Sequence, residues 1–197
     1  MIGMGTVDYG INDLINTPLW GLIQEKLNSV DLEWKDGTAG SLRGRSNNVR
    51  KSKVSCLNDS YLTEQLSYSI NLYNKQHWNY DLDGCDPIQY WIYPVGGKYD
   101  WHVDEEEETP IIGGKLLARK LSMTIWLSDP DEYEGGELDI EIEGPHTNLR
   151  YHTLKLSKGS IIIFPSDKWH RVRPVTSGVR KSLVTWFRGP PFRWWTK

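Results

Sequence analysis

The amino-acid sequence predicts a β-rich α+β fold, a helical support followed by a β sandwich or barrel, and three observations carry that expectation. At 197 residues the chain is long enough for one domain with a sizeable core. Apolar residues recur at helical spacing only in its first part. From Pro87 onward it breaks into short runs of β-branched and aromatic residues separated by Gly, Pro, Asp and Asn, the texture of closely spaced strands.

In order along the chain, Thr17-Pro18 followed by Leu19, Leu22, Ile23, Lys26 and Leu27 predicts a capped helix with proline at its first position. A stretch rich in Gly, Ser and Asn, Asp36 to Lys53, carries Arg43, Arg45, Arg50 and Lys51 and reads as an exposed loop, with a lid over substrate as the alternative. Leu62, Leu66, Ile70 and Tyr73 place a second helix over Asp59 to Gln76. The expected strands are Ile88 to Tyr93, Tyr99 to Val103, Leu121 to Leu127, Glu137 to Ile142, Arg150 to Leu156, Ser160 to Phe164, Trp169 to Pro174 and Arg180 to Arg188. The organisation is therefore a single domain over 1–197: helical support and loop to about residue 86, a β core over about 87–190, and a tail over 191–197.

A net charge of −3 and a pI near 6.0 give no pull toward phosphate backbones or anionic membranes, so nucleic acid is not favoured as a partner. Residues Met1 to Asn16 lack a basic start followed by an apolar run, and no stretch reaches transmembrane length, which makes a cytoplasmic protein without membrane attachment the expectation. Cys56 and Cys85, the two cysteines, are expected to be free thiols. Ten Trp and ten Tyr serve equally well as core, groove lining or stacking surface and select no function.

The chemistry concentrates in two short segments, Trp101-His102-Val103-Asp104 and Phe164-Pro165-Ser166-Asp167-Lys168-Trp169-His170, with Arg180 beyond them. Side chains alternate along a strand, so His102 and Asp104 face the same way and can share an ion, for which His170 is the best third ligand. Two histidines and one carboxylate with coordination positions left open is the facial arrangement of non-heme Fe(II) oxygenases. An isolated His-x-Asp also occurs by chance on the polar face of an edge strand, and a structural or sensing metal site in a binding module is the non-enzymatic alternative. A buried Arg180 weighs against both, because its charge calls for an incoming carboxylate.

These segments resemble a known family. Phe164-Pro-Ser-x-x-x-His170-x-Val172-x-Pro174-Val175-Thr176-x-Gly178-x-Arg180 closely matches Fe(II)/2-oxoglutarate-dependent dioxygenases of the prolyl 4-hydroxylase-like group. Tyr93-Pro-Val-Gly-Gly97-Lys-Tyr99-Asp-Trp-His102-Val-Asp104 looks like the group's approach to its His-x-Asp motif, and Arg119, Ser122, the Leu127 strand and Gly135-Gly136-Glu137-Leu138 follow in the group's order. The similarity runs from about Gln89 to Phe187.

The resemblance implies a double-stranded β-helix, a distorted jelly roll, as the catalytic core. It implies Fe(II) on His102, Asp104 and His170, 2-oxoglutarate with its distal carboxylate on Arg180, dioxygen as cosubstrate, and ascorbate as a further cofactor. Tyr93 matches a tyrosine that hydrogen-bonds the cosubstrate, Trp186 an aromatic lining that pocket, and Arg119 a basic residue facing the prime substrate. One position departs: where many members carry a tyrosine that helps bind the distal carboxylate, this chain has Trp126, which either reshapes the pocket or turns outward. The implied reaction is hydroxylation of an unactivated C–H bond with release of succinate and CO2, a prolyl residue of a peptide or protein being the leading substrate. Hydroxylation of a free amino acid or other small molecule, and demethylation of a nucleobase, are the enzymatic alternatives.

The remaining conspicuous residues have bland readings. Glu105 to Glu108 are expected to form a solvated turn. His77, His146 and His152 lie outside the matching motifs and are not expected to be ligands. The tail Phe192-Arg193-Trp194-Trp195 is expected to pack back on the barrel.

Overall fold

The computed structural model describes residues 8–29, 31–37, 50–142 and 150–192. In chain order the elements are β1 (Gly10–Asp13), α1 (Pro18–Ser29), β2 (Lys35–Asp36), β3 (Arg50–Lys51), β4 (Lys53–Leu57), α2 (Ser60–His77), β5 (Ile88–Tyr93), β6 (Lys98–His102), β7 (Ile111–Ile112), β8 (Lys115–Leu116), β9 (Ala118–Trp126), β10 (Tyr133–Gly135), β11 (Leu138–Glu141), β12 (Tyr151–Leu154), β13 (Ser160–Pro165), β14 (His170–Val172), β15 (Val175–Gly178) and β16 (Arg180–Gly189). Both helices lie where the periodicity puts them. Thr17 caps α1, its hydroxyl accepting from Trp20 N at 3.2 Å, and Asp59 caps α2, its carboxylate accepting from Leu62 N at 2.8 Å. Asn74 closes α2, its side chain bonding both Tyr80 N and Tyr80 O. No helix among the described residues is long and apolar enough to cross a membrane.

Two antiparallel sheets build the double-stranded β-helix. The larger runs β1-β13-β9-β16-β5-β4-β2 and the smaller β12-β11-β14-β6-β3. Strand alternation gives the large sheet two apolar faces. Leu121, Met123, Ile125, Ile161, Ile163, Leu183 and Phe187 face outward onto Ile23 of α1 and Leu62, Leu66 and Ile70 of α2. Trp91, Tyr93, Trp126, Ile162 and Phe164 face inward and meet Leu138, Ile140 and Val172 of the small sheet. The helices thus cover one side of the sheet and leave the other to enclose the interior of the barrel.

Every strand expected from the sequence is present, with ends shifted by a few residues. The sequence reading lacks β1, β2, β3, β4, β7, β8, β10 and β15, most of them two to four residues long and too short to display a period. One reading is corrected: Arg50, expected in an exposed loop, is buried on β3, paired against Tyr99 of β6. Arg43, Arg45, His146 and the tail from Arg193 lie outside the described residues, while Phe192 packs edge-on against Tyr80 with ring centroids 5.3 Å apart. Cys56 and Cys85 are free.

A buried ionic knot ties the small sheet together. Asp139 of β11, with no exposed surface, accepts from Arg171 at 2.7 Å, Arg173 at 2.9 Å and Thr153 at 2.7 Å. Burial alone would raise its carboxyl pKa, but the hydrogen bonds from Arg173, Thr153 and Arg171 outweigh burial and hold it below the usual range. Asp139→Asn removes the charge both guanidiniums face and is expected to cost about 2 kcal/mol in urea unfolding, less than a fully buried pair because the arginines keep some water. A depressed folded pKa makes this contribution complete above about pH 4, the ordinary carboxylate value, and progressively lost below it. Wild-type stability is therefore expected to fall more steeply than that of Asp139→Asn on acidification below pH 4.

Candidate metal centre

The site begins with a strand register. His170 on β14 stands opposite His102 on β6 in the antiparallel pair, and the two imidazole centroids are 4.1 Å apart. Asp104 is delivered to them by the turn after β6 rather than by the strand itself. Its backbone N–H and that of Glu105 both donate to Ser166 O at 2.9 Å, lacing this turn to the one that precedes β14. Asp104 Oδ1 then lies 3.6 Å from His102 Nε2, and Oδ2 lies 3.3 Å from His170 Nε2. One ligand atom from each of the three residues falls within 4.8 Å of the others.

The hydrogen bonds around the triad fit a divalent cation. His102 Nδ1 donates to Asp100 O at 2.7 Å and His170 Nδ1 to Lys168 O at 2.9 Å, which fixes the proton on Nδ1 in both rings and leaves each Nε2 lone pair turned toward Asp104. Burial, then the neighbouring His170, lowers the His102 pKa to about 3, so this imidazole is neutral near neutral pH. Burial would raise the Asp104 carboxyl, yet the charge and hydrogen bond of His170, followed by His102, outweigh it and hold the carboxyl far below the ordinary range. Ser122 Oγ donates to Asp104 Oδ2 at 2.8 Å and touches Ser166 Oγ at 3.0 Å, steering the carboxylate. Tyr99 stacks on His102 at 3.5 Å and Phe164 meets His170 edge-on at 4.8 Å, so both rings are clamped by aromatics. Two imidazoles and one carboxylate, all on one side of the space between them, match the donor set preferred by Fe(II).

The triad forms one wall of a cavity of about 540 Å³. Arg180 lies on another wall, contributed by the large sheet, with only 1% of its surface exposed. Its Nη1 donates to Ser182 Oγ at 3.1 Å, and the rings of Tyr93 and Trp126 each lie 5.3 Å from its Cζ. Among the described residues no carboxylate forms an ion pair with it. Trp126 is completely buried and packs inward, so it does not turn outward.

Tyr93 and Trp186 line the same cavity, as does Arg119 at its edge. The Arg119 guanidinium lies 3.8 Å over the Trp186 ring, and its Nη2 is 2.7 Å from Asp86 Oδ2. Arg188 pairs with the same Asp86 and, through both Nη atoms, with Glu106 at 2.7 and 3.1 Å. Glu106 is therefore an anchor of the turn after Asp104, not part of a solvated acidic run. His152 is engaged by Tyr9 Oη at 2.7 Å and His77 stacks on Tyr73 at 4.1 Å, both away from the triad.

Sequence reasoning assigned no role to Ser122 and misplaced Arg50. Arg50 lines the cavity with its guanidinium stacked 3.4 Å from the Trp91 centroid and 4.0 Å from that of Tyr99. Ser122 was discoverable from its position alone, four residues before Trp126 on the inward face of the same strand; Arg50 carried no signal, since its neighbours read as loop.

Comparison with known proteins places this geometry. The profile described as the 2OG-Fe(II) oxygenase superfamily matches residues 88–188. A PKHD-type hydroxylase of Psychrobacter sp. is 40% identical over 100 residues, 51% of this chain and 37% of that protein. A PKHD-type hydroxylase of Stenotrophomonas maltophilia is 40% identical over 100 residues, 51% of this chain and 42% of its own length. The chain thus matches well under two thirds of these two relatives. A PKHD-type hydroxylase of Hyphomonas neptunium is 33% identical over 167 residues, covering 80% of this chain and 68% of the relative. Among solved structures, a Pseudomonas putida prolyl-4-hydroxylase superposes with a TM-score of 0.65 at 18% identity, over 94% of this chain and 95% of that one.

Ser122→Ala leaves the three donors in place and removes the group that orients Asp104. It is expected to weaken divalent-metal affinity about 10-fold, the lower end for loss of a supporting hydrogen bond. Equilibrium titration with Mn(II), followed by loss of its solution EPR signal, measures the change; wild-type affinity would show that the hydroxyl plays no part.

Proposed function

The chain belongs to the 2OG-Fe(II) oxygenase superfamily, and on that premise we propose that it is an Fe(II)- and 2-oxoglutarate-dependent dioxygenase hydroxylating a prolyl residue of a peptide or protein. In this reading His102, Asp104 and His170 hold the iron and Arg180 holds the distal carboxylate of 2-oxoglutarate. Tyr93 and Trp186 line the cosubstrate pocket, and Arg119 faces the prime substrate. The observation that carries it is Arg180: a guanidinium fully buried in the triad's own cavity, without a carboxylate partner among the described residues. A buried cation is tolerable where an anion joins it, and a structural metal site has no use for one.

When bound, Fe(II) with 2-oxoglutarate and dioxygen supplies the oxidation that turns an unactivated C–H bond into an alcohol, releasing succinate and CO2. The protein's contribution is orientation. The Nδ1 of each ring is held by a backbone carbonyl, so each Nε2 is the atom presented to a metal, and Ser122 keeps the Asp104 carboxylate aimed between them. Arg180, opposite, offers a planar pair of donors to a carboxylate and so fixes the far end of a five-carbon diacid. Trp91, Tyr93, Val172 and Val184 line the space between with largely apolar surface.

The choice of a prolyl residue is supported by the names of the structural neighbours, which include a prolyl hydroxylase in complex with a hypoxia inducible factor peptide fragment from Trichoplax adhaerens. The cavity mouth also suits an extended chain, since Trp101, Trp169, Glu105 and Glu107 border it at the surface.

Anaerobic protein with Fe(II) is expected to bind 2-oxoglutarate, and admission of oxygen with ascorbate and a proline-containing peptide is expected to yield succinate and a product heavier by one oxygen atom. No binding of 2-oxoglutarate by the wild type would end the oxygenase reading; succinate formed with small molecules but with no peptide would end the prolyl one. Arg180→Ala is expected to raise the KM for 2-oxoglutarate by about 100-fold, the scale of a lost charge-assisted bidentate contact, with metal affinity unchanged. Loss of metal with cosubstrate affinity retained would reverse the roles given to these residues.

A further inference from the structure

The floor behind Arg180 contains three polar atoms whose bonding needs are unmet. Trp126 Nε1, Tyr133 Oη and Arg180 Nε are each buried without a hydrogen-bond partner. They belong to neighbouring side chains. The Arg180 Cζ lies 5.3 Å from the Trp126 ring, and Arg180 Cδ and Tyr133 Cε2 lie 3.1 and 3.2 Å from the point where a Cβ on Gly136 would stand. Burial raises the Tyr133 phenol pKa, while the Arg180 charge and then the nearby Trp126 and Arg180 N–H donors oppose the rise, so the three groups are close although no contact among them reaches hydrogen-bond geometry. Gly136, at φ +66°, permits this approach, because any larger residue there would press on both side chains. Native interiors rarely leave so many polar groups unpaired in one place unless they serve a bound state.

Their chemistry is complementary. An indole N–H and a guanidinium Nε–H can only donate, whereas a phenol oxygen accepts on two lone pairs. We propose that Tyr133 is a positioning residue for Arg180: its phenol oxygen receives the Arg180 Nε–H, and the Trp126 N–H backs it from the other side, when a dicarboxylate draws the guanidinium into its binding pose. This rests on the oxygenase reading above. The arrangement supplies what the departure at 126 removes. A tyrosine at 126 would bring a hydroxyl to this end of the pocket; the indole brings a donor alone, and the acceptor arrives instead from β10, seven positions later. Tyr133 does not line the cavity, so it acts through Arg180 and not by touching the cosubstrate.

The consequence is that one hydroxyl outside the cavity sets the affinity for 2-oxoglutarate. Isothermal titration calorimetry of anaerobic Fe(II)-loaded protein with 2-oxoglutarate tests it without turnover. Tyr133→Phe removes only the oxygen and is expected to weaken binding about 10-fold, as for the loss of one hydrogen bond to a charged group, with Fe(II) affinity and the thermal midpoint unchanged. Trp126→Phe is expected to weaken the same binding by a smaller factor. Wild-type affinity in Tyr133→Phe would overturn the proposal, as would a loss accompanied by equal losses in metal affinity and thermal midpoint, which marks a purely structural role. If the wild type itself fails to bind 2-oxoglutarate, the oxygenase reading falls first and this proposal with it.

Discussion

The register that sets His170 opposite His102 is the constraint on which the rest of the site depends. Side chains in a strand alternate faces, so a slip of one residue between β6 and β14 would turn one imidazole out of the barrel and break the triad without altering any residue. Several contacts oppose such a slip. Ile140 of β11 pairs with His170 from the other side, and the ladder between β14 and β6 resumes at Val172 and Tyr99 after an irregularity. The paired N–H groups of Asp104 and Glu105 on the single Ser166 carbonyl then fix the third ligand to the same frame. The three candidate ligands are thereby placed by backbone hydrogen bonds, and their side chains need little freedom to meet.

Charge is distributed to match. Asp104 is the one buried anion beside the two imidazoles, and its usual burial penalty is offset by both rings and by Ser122. Arg180 is a buried cation on the opposite sheet. At the cavity wall, Asp86 gathers Arg119 and Arg188, and Arg188 in turn holds Glu106, so the segment that follows Asp104 is tethered by a network and not left as a run of repelling acids. Networks of this kind fix geometry more reliably than they add stability. Here the geometry fixed is the turn that carries Asp104.

Much of this was legible in the sequence, and the illegible part has physical causes. His102, Asp104, His170 and Arg180 announce themselves because metal and anion binding demand particular residue types, and eight strands announce themselves by their runs of β-branched and aromatic residues. Thr17 and Asp59 are visible because capping is local. By contrast, β3 and β10 are two and three residues long and exist only through partners far along the chain. Arg50 lies among Gly, Ser and Asn, so composition pointed to solvent, while its burial depends on Trp91 and Tyr99. Glu106 shows the same limit: an acid in an acidic run is usually solvated, and only the return of β16 brings Arg188 beside it. Tyr133 drew no reading from the sequence, and its proximity to Arg180 is permitted by Gly136.

The two ends of the cavity are built on different sheets, and this separates what the site does from what it accepts. The imidazoles belong to the small sheet and Arg180 to the large one, so the spacing between sheets, set by Ile162, Phe164, Leu138 and Ile140 packing across the interior, also sets the distance between the triad and Arg180. A change in that packing would disturb both ends together. The mouth is made differently: Trp101 lies at a strand end, Trp169 precedes β14, and Glu105 and Glu107 sit in the turn. Loops and strand ends tolerate substitution that a two-sheet core does not. The triad and Arg180 are therefore tied to the fold, while the mouth is built from strand ends and turns around it.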